Sequence, residues 1–129
     1  MKMYTIIGIA LLLVALAVSC QSQTKKYSLS TAEFAEKINE FPDAPVVDVR
    51  TPEEYNPEHL PKSINIDWQG NSFVEQTTML DKSAPVLIYC RSGRRSAEAA
   101  TRMRREGFKE VYELKSGILG WKEDGYEVK

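Results

Sequence analysis

Short apolar segments alternate with helical patterns from residue 27 to residue 129, and this alternation limits the possible folds more than any other feature of the chain. The segment 46–49, Val-Val-Asp-Val, is apolar enough to be buried on both faces, as strands of parallel sheets are. Strands that alternate with helices are typical of α/β folds. We therefore predict an α/β fold whose central sheet is mainly parallel, has about five strands and carries helices on both faces. The strands are expected at 27–29, 46–49, 63–66, 86–89 and 111–114.

Capping residues mark the ends of several predicted helices. Ser30 and Glu33 have capping-box spacing, as do Thr51 and Glu54, so a helix is expected to begin after Ser30 and another after Thr51. Gly107 stands where a left-handed C-terminal cap belongs, at the end of a helix predicted over 96–106. Further helices are expected within 71–80 and over 117–123.

The length and charge of the chain limit its organisation and partners. A length of 129 residues accommodates one domain, which we place at 27–129, and we expect a monomer. The formal net charge of −1 gives no reason to expect a nucleic-acid partner. In open parallel sheets the functional crevice lies beyond the carboxyl ends of the strands, and Cys90 directly follows the predicted strand 86–89.

The N-terminus has the features of an export signal. Lys2 precedes an almost unbroken apolar run over 4–18, which is shorter than a membrane-spanning helix requires. The run ends in Ala-Val-Ser-Cys, which resembles a bacterial lipobox with Cys20 as the lipidated residue. We predict a lipoprotein-type signal peptide at 1–19 and a lipidated tether at 20–26, so that the protein is exported and membrane-anchored, facing the periplasm. An uncleaved anchor and an ordinary secretory signal are the alternatives.

The chain contains two cysteines. If Cys20 is lipidated, Cys90 is the only thiol left, so no internal disulfide can form. A single free thiol in an oxidising compartment favours a functional role over that of a small buried apolar residue.

Residues 90–96, Cys-Arg-Ser-Gly-Arg-Arg-Ser, have the composition of a loop that activates a thiolate; we call them the cysteine loop. An ordinary cysteine, with a pKa of about 8.5, is only a few per cent thiolate at neutral pH. A helix N-terminus alone contributes too little to change this, whereas backbone N–H groups and guanidinium charge around the sulfur can add the rest. Cys90 is the candidate nucleophile, and the candidate substrate-binding residues are Arg91, Ser92, Gly93, Arg94, Arg95 and Ser96. We expect the loop glycine to allow a tight turn, the last serine to cap the following helix, and the three arginines to attract an anionic substrate.

The length of the cysteine loop distinguishes two kinds of chemistry. Cysteine phosphatases and the related arsenate enzymes have an arginine six residues after the cysteine, but this chain has Ser96 there and Arg95 one place earlier. A shorter loop suits one extra sulfur atom better than a tetrahedral oxyanion, so a phosphatase or arsenate reductase is disfavoured.

The cysteine loop resembles the active-site loop of rhodanese sulfurtransferases. The segments 47–55 and 59–66 resemble the first signature of that family, and 117–121 resembles its C-terminal signature. The likeness spans the whole predicted domain. Two departures lie in one turn, where Glu58 replaces the usual glycine before His59 and Lys62-Ser63 replaces Gly-Ala.

This resemblance implies a rhodanese-like fold and a thiosulfate sulfurtransferase that needs no cofactor. The Cys90 thiolate would take a sulfane sulfur from thiosulfate or a similar small anionic donor and pass it to cyanide, a small thiol or a protein acceptor. The alternative is a rhodanese-like persulfide or polysulfide carrier, or binding module, without significant turnover.

Other polar residues have simpler interpretations. Asp48, Arg50 and Glu54 are expected to support the structure, with an ion pair between the arginine and the glutamate four residues later. His59 has no cluster of ligands around it in the sequence, so we expect no metal site. The basic residues Arg102, Arg104, Arg105 and Lys109 form either a solvated helix face or a surface that steers an acidic partner.

Overall fold

The computed structural model describes residues 25–129. The predicted signal peptide at 1–19, the lipidation site Cys20 and most of the tether lie outside the described residues. The elements in chain order are β1 (Ser28–Leu29), α1 (Thr31–Glu40), β2 (Val46–Asp48), α2 (Pro52–Tyr55), β3 (Ser63–Asn65), α3 (Phe73–Thr77), β4 (Pro85–Tyr89), α4 (Arg94–Arg105), β5 (Glu110–Leu114) and α5 (Gly117–Glu123). None of these helices is both long enough and apolar enough to cross a bilayer.

The five strands form one sheet in the order β1-β5-β4-β2-β3, and every pairing between neighbours is parallel. The predicted α/β architecture is therefore confirmed. After β2 the chain moves outward to β3, whereas after β4 it moves the other way to β5. The switch point of the topology thus lies between β2 and β4, and in such sheets a crevice opens there at the carboxyl ends of the strands.

Helices cover both faces of the sheet because the strand side chains alternate. In β4, Val86 and Ile88 belong to the core cluster that includes residues of α3 and α4. Leu87 and Tyr89 point the other way, into the cluster formed with α1 and α5. The Cys90 side chain continues the first alternation and joins the α4 side of the core.

The ends of the helices follow the predicted capping chemistry at most positions. Both capping boxes are formed, at Ser30 and at Thr51. Gly107 adopts a φ of 98° after α4, and the Phe108 N–H donates to the Met103 carbonyl at 3.1 Å, as in a Schellman cap.

The start of α4 differs from the prediction. The helix begins at Arg94 rather than at Ser96, and Gly93, with a φ of 106°, occupies the N-cap position. Ser96 therefore lies inside the first turn and does not cap the helix. Glycine adopts the left-handed conformation without a steric penalty, so the chain can turn sharply and enter the helix two residues early.

Candidate active site

The cysteine loop lies at the switch point of the sheet. Cys90 follows β4 directly, and the Val49 N–H donates to the Tyr89 carbonyl at 2.9 Å, so the ends of β2 and β4 are side by side. Residues that follow these two strands therefore share the crevice at the carboxyl edge of the sheet.

The Cys90 sulfur lies in a cradle of backbone N–H groups. The Gly93 N–H donates to Sγ at 3.1 Å. The first N–H groups of α4 have no partner within the helix. Among them, the Ser96 N–H also helps to lower the pKa of Cys90. Burial, which leaves the residue 1% exposed, raises the pKa of Cys90, but hydrogen bonds from Ser96, Gly93 and Ser92 outweigh it. The net shift is downward, so the site favours the thiolate.

Ser96 contributes through its hydroxyl as well as through its backbone. Its Oγ donates to the Gly93 carbonyl at 3.1 Å, and the side chain also helps to lower the pKa of Cys90. Ser96 is fully buried, so its hydroxyl is held within the cysteine loop.

The N-terminus of α5 orients the cysteine loop from behind. The Ile118 N–H donates to the Cys90 carbonyl at 2.9 Å, and the Leu119 N–H donates to the Arg91 carbonyl at 3.2 Å. In a trans peptide the carbonyl and the next N–H point in opposite directions. Because the two carbonyls face α5, the N–H groups of Arg91 and Ser92 are turned away from that helix.

Two glycines allow this close approach. A Cβ at Gly93 would lie 2.1 Å from the Lys115 carbonyl oxygen, and one at Gly117 would lie 2.2 Å from the Arg91 carbonyl oxygen. Both also have positive φ angles, of 106° and 63°. The sequence alone did not assign Gly117 this contact, although its place in a segment resembling the rhodanese C-terminal signature pointed to the region.

The three loop arginines do not act alike. Arg91 and Arg94 are exposed, whereas the Arg95 guanidinium donates to both carboxylate oxygens of Glu54, at 2.6 and 2.9 Å. Arg95 is thus already paired with a carboxylate. Among the described residues, the loop arginines without a carboxylate partner are Arg91 and Arg94.

The expected ion pair between Arg50 and Glu54 is wrong. The Arg50 Nε and Nη2 instead donate to the Asp48 carboxylate at 2.7–3.0 Å, and both side chains are almost fully buried. Arg50 Nη2 also donates to the Glu58 carbonyl, and Asn65 Nδ2 donates to the carbonyls of Asp48 and Arg50. This network joins the end of β2, β3 and the turn between them. A two-residue spacing allows the pairing because the chain bends at the end of β2.

The turn with the unusual residues contains a left-handed residue and an ion pair to α5. Lys62 has a φ of 65°, a conformation that glycine adopts more readily, and Glu58 pairs with Lys122 of α5. The His59 ring stacks on Tyr55 at 4.0 Å, and its Nδ1 lies 3.0 Å from the Tyr55 carbonyl oxygen. Within residues 25–129 no group of three or more potential ligands is placed to hold a metal ion.

The predicted basic patch lies at the far end of α4 from Cys90. Arg102 pairs with Glu106 and Arg104 pairs with Glu113, so much of its charge is neutralised.

A cavity of about 410 Å³ also lies at the amino edge of the sheet, lined in part by Lys25, Glu33 and Tyr112. None of the residues that line this cavity belongs to the cysteine loop.

Comparison with known proteins identifies the family to which this chain belongs. The profile of the Rhodanese-like domain family matches residues 30–124. A rhodanese-related protein from Thermoplasma volcanium has a similar structure, with a TM-score of 0.70 and 29% identity over 81% of this chain and 98% of that chain.

Curated relatives carry several different descriptions. The chain is 35% identical over 80 residues to the thiosulfate sulfurtransferase GlpE of Coxiella burnetii, covering 62% of this chain and 73% of the relative. It is 31% identical over 93 residues to the putative sulfur carrier protein YrkF of Bacillus subtilis, covering 72% and 49%. It is 32% identical over 109 residues to the tRNA uridine(34) hydroxylase of Pelagibacter ubique, covering 84% of this chain but only 36% of that relative. Because the family profile matches residues 30–124 and a rhodanese-related protein has a similar fold, this chain belongs to the rhodanese-like domain family.

Proposed function

We propose that this protein is a sulfurtransferase that moves a sulfane sulfur from thiosulfate, or a similar donor, to a thiophilic acceptor through a Cys90 persulfide. The observation that carries this proposal is the N–H cradle around Sγ, which lowers the pKa of a buried thiol. Backbone N–H groups arranged in this way would also stabilise one extra anionic sulfur. The 35% identity to a thiosulfate sulfurtransferase supports the choice of donor.

In the first half-reaction the Cys90 thiolate attacks the outer sulfur of thiosulfate. A new S–S bond forms to Sγ, and the bond between the two sulfurs of the donor breaks. Its electron pair leaves with sulfite. Arg91 and Arg94 attract the anionic donor, and the backbone N–H groups of the cysteine loop stabilise the terminal persulfide sulfur.

In the second half-reaction cyanide or a thiolate attacks the terminal sulfur, and the Cys90 thiolate departs with the electron pair of the S–S bond. The described residues contain no second cysteine that could resolve the persulfide. If Cys20 is lipidated, as we also propose below, the acceptor is an external nucleophile. Because the two half-reactions share one site, the kinetics should be ping-pong.

A sulfur carrier without significant turnover is the second candidate, and one relative described as a putative sulfur carrier favours it. The two functions differ in whether loaded sulfur is released to a small acceptor. The protein is incubated with thiosulfate, its intact mass is measured, and thiocyanate is then assayed after addition of cyanide. A gain of one sulfur that is absent in Cys90→Ala, followed by steady turnover, supports the enzyme.

The other outcomes of this experiment separate the remaining possibilities. Loading without turnover supports the carrier, whereas no loading from thiosulfate or polysulfide contradicts both.

A phosphatase is further disfavoured because Arg95, the loop arginine closest to the position phosphatases use, is held by Glu54.

We also propose that the domain is tethered to a membrane through lipidated Cys20 and faces the periplasm. Lys25, the first described residue, pairs with Glu110 at the start of β5. The starts of the parallel strands form the edge of the sheet opposite to the edge at which Cys90 lies. A tether at this edge leaves the cysteine loop pointing away from the bilayer, where soluble donors and acceptors can reach it. In cell fractionation, Cys20→Ala should release the protein from membranes; if it stays bound, the lipobox interpretation is wrong.

A further inference from the structure

One ion pair crosses the crevice beside the sulfur. Glu54 belongs to α2, which follows β2, and Arg95 belongs to the first turn of α4, which follows β4. The two residues are 41 positions apart, yet Arg95 Nη1 donates to Glu54 Oε1 and Arg95 Nη2 donates to Glu54 Oε2. The Glu54 side chain is 30% exposed and that of Arg95 is 16% exposed. The pair therefore connects the two chain segments that border the site.

The Glu54 carboxylate is itself held in place. Its Oε1 accepts from the Thr51 hydroxyl at 3.2 Å, and the Thr51 Oγ1 accepts from the Glu54 N–H at 3.3 Å. This capping box orients the carboxylate on a short, defined turn. The two-point contact then leaves the Arg95 guanidinium little freedom to rotate.

The charged groups around Cys90 come from several elements. Arg94 and Arg95 belong to the start of α4, the buried pair Asp48–Arg50 follows β2, and Glu54 comes from α2. The exposed Lys115 follows β5 behind the cysteine loop. Arg95 lies five residues after Cys90, in the first turn of the helix whose N-cap residue, Gly93, donates its N–H to the sulfur.

We propose that Glu54 is a positioning residue for Cys90: its carboxylate holds the Arg95 guanidinium at the edge of the crevice, where the positive charge faces the sulfur. Arg95 would otherwise extend into solvent, as exposed Arg91 and Arg94 do. This role adds to the proposed sulfur transfer, because the same charge stabilises the thiolate before loading and the anionic persulfide after it.

The direction in which the pKa of Cys90 changes when Glu54 is removed distinguishes positioning from a simple charge effect. If Arg95 stayed in place without Glu54, the loss of a nearby negative charge would lower the pKa of Cys90. If Glu54 holds Arg95, its loss lets the guanidinium leave, and the pKa of Cys90 rises. A purely structural ion pair would change the stability of the protein without moving this pKa.

The test is the pH dependence of the rate at which iodoacetamide alkylates Cys90, which requires no sulfur donor. The variants are Glu54→Gln, Arg95→Met and the double variant, with Glu53→Gln as the control because Glu53 is an exposed neighbour on the same helix. We expect Glu54→Gln and Arg95→Met each to raise the pKa of Cys90 by about half a unit to one unit, a three- to tenfold loss of thiolate at low pH. The double variant should equal Arg95→Met alone, and the control should match the wild type.

A fall or no change in the pKa of Cys90 in folded Glu54→Gln would overturn the proposal, as would additive effects in the double variant. Near-UV circular dichroism checks that each variant is folded. Arg95→Lys provides a second measurement that keeps the charge but loses the two-point contact, and it should give an intermediate pKa; a pKa equal to that of the wild type contradicts the need for positioning. Sulfur loading from thiosulfate is measured separately, so failure of the proposed function leaves this result interpretable.

Discussion

Gly117 offers the most direct way to displace the cysteine loop without touching it. A Cβ at this position would lie 2.2 Å from the Arg91 carbonyl oxygen and 2.6 Å from the Ser92 nitrogen. Contacts below 3.0 Å are not tolerated between a Cβ and backbone atoms, so Gly117→Ala must push the loop and α5 apart by about 0.8 Å or more. That movement strains the two hydrogen bonds from α5 that turn the loop N–H groups away from that helix.

The expected loss of stability follows from these contacts. Alanine in the left-handed region costs about 1 kcal/mol, and weakening two backbone hydrogen bonds adds about 1 kcal/mol each. We therefore expect the free energy of unfolding of Gly117→Ala to fall by about 3 kcal/mol. A displacement of this size at a reacting centre also predicts a loss of sulfur transfer on the order of 100-fold.

Gly125→Ala is the matched control, because Gly125 has a φ of 84° but no neighbouring atom within 4 Å of the place a Cβ would occupy. It should lose no more than about 1 kcal/mol and keep its sulfur transfer. Urea unfolding gives the two free energies, and the alkylation of Cys90 reports on the loop. If the two variants show equal stability and equal alkylation rates, the close packing of Gly117 against the loop does not position the sulfur cradle.

Three further predictions concern the charged and polar groups around the site. Asp48→Asn leaves the buried Arg50 charge without its partner and should lower the free energy of unfolding by about 3–5 kcal/mol in urea titrations; a loss below about 1 kcal/mol would contradict a buried pair. Ser96→Ala removes a hydroxyl donor, so the pKa of Cys90 measured by alkylation should rise by about half a unit, and an unchanged value would exclude the hydroxyl from the cradle. The hydrogen bond from Arg95 holds the pKa of Glu54 at about 2, below its ordinary 4.5. The contribution of the Glu54 carboxylate to stability is therefore complete above pH 5 and is lost as the pH falls toward 2. The advantage of the wild type over Glu54→Gln, about 1 kcal/mol at pH 7, should therefore shrink between pH 5 and 3; a constant difference would argue against the pair.

Local patterns in the sequence predicted much of this fold. The capping boxes at Ser30 and Thr51 and the left-handed glycine at Gly107 were correctly located, because each depends on residues within a few positions of one another. The start of α4 was misplaced by two residues, since Ser96 is a common capping residue and only the conformation of Gly93 shows where the turn ends.

The partners of charged residues were harder to predict. Arg50 and Glu54 have helical spacing, but α2 begins only at Pro52, so the two side chains do not share a helix face. The structure pairs Arg50 with Asp48 and Glu54 with Arg95. Both outcomes depend on how the chain leaves β2, which no local spacing describes.

By itself, the sequence determined the alternation of strands and helices, the composition of the cysteine loop and the absence of a second thiol after Cys20. These properties are local, and they sufficed to predict the fold class and the candidate nucleophile. Only the tertiary structure decided which groups surround the sulfur: the N-terminus of α5 behind the loop, Gly117 against Arg91, and Glu54 holding Arg95. The physical reason is that the strand order β1-β5-β4-β2-β3 brings segments far apart in the chain to one edge of the sheet, where burial and charge pairing select their contacts.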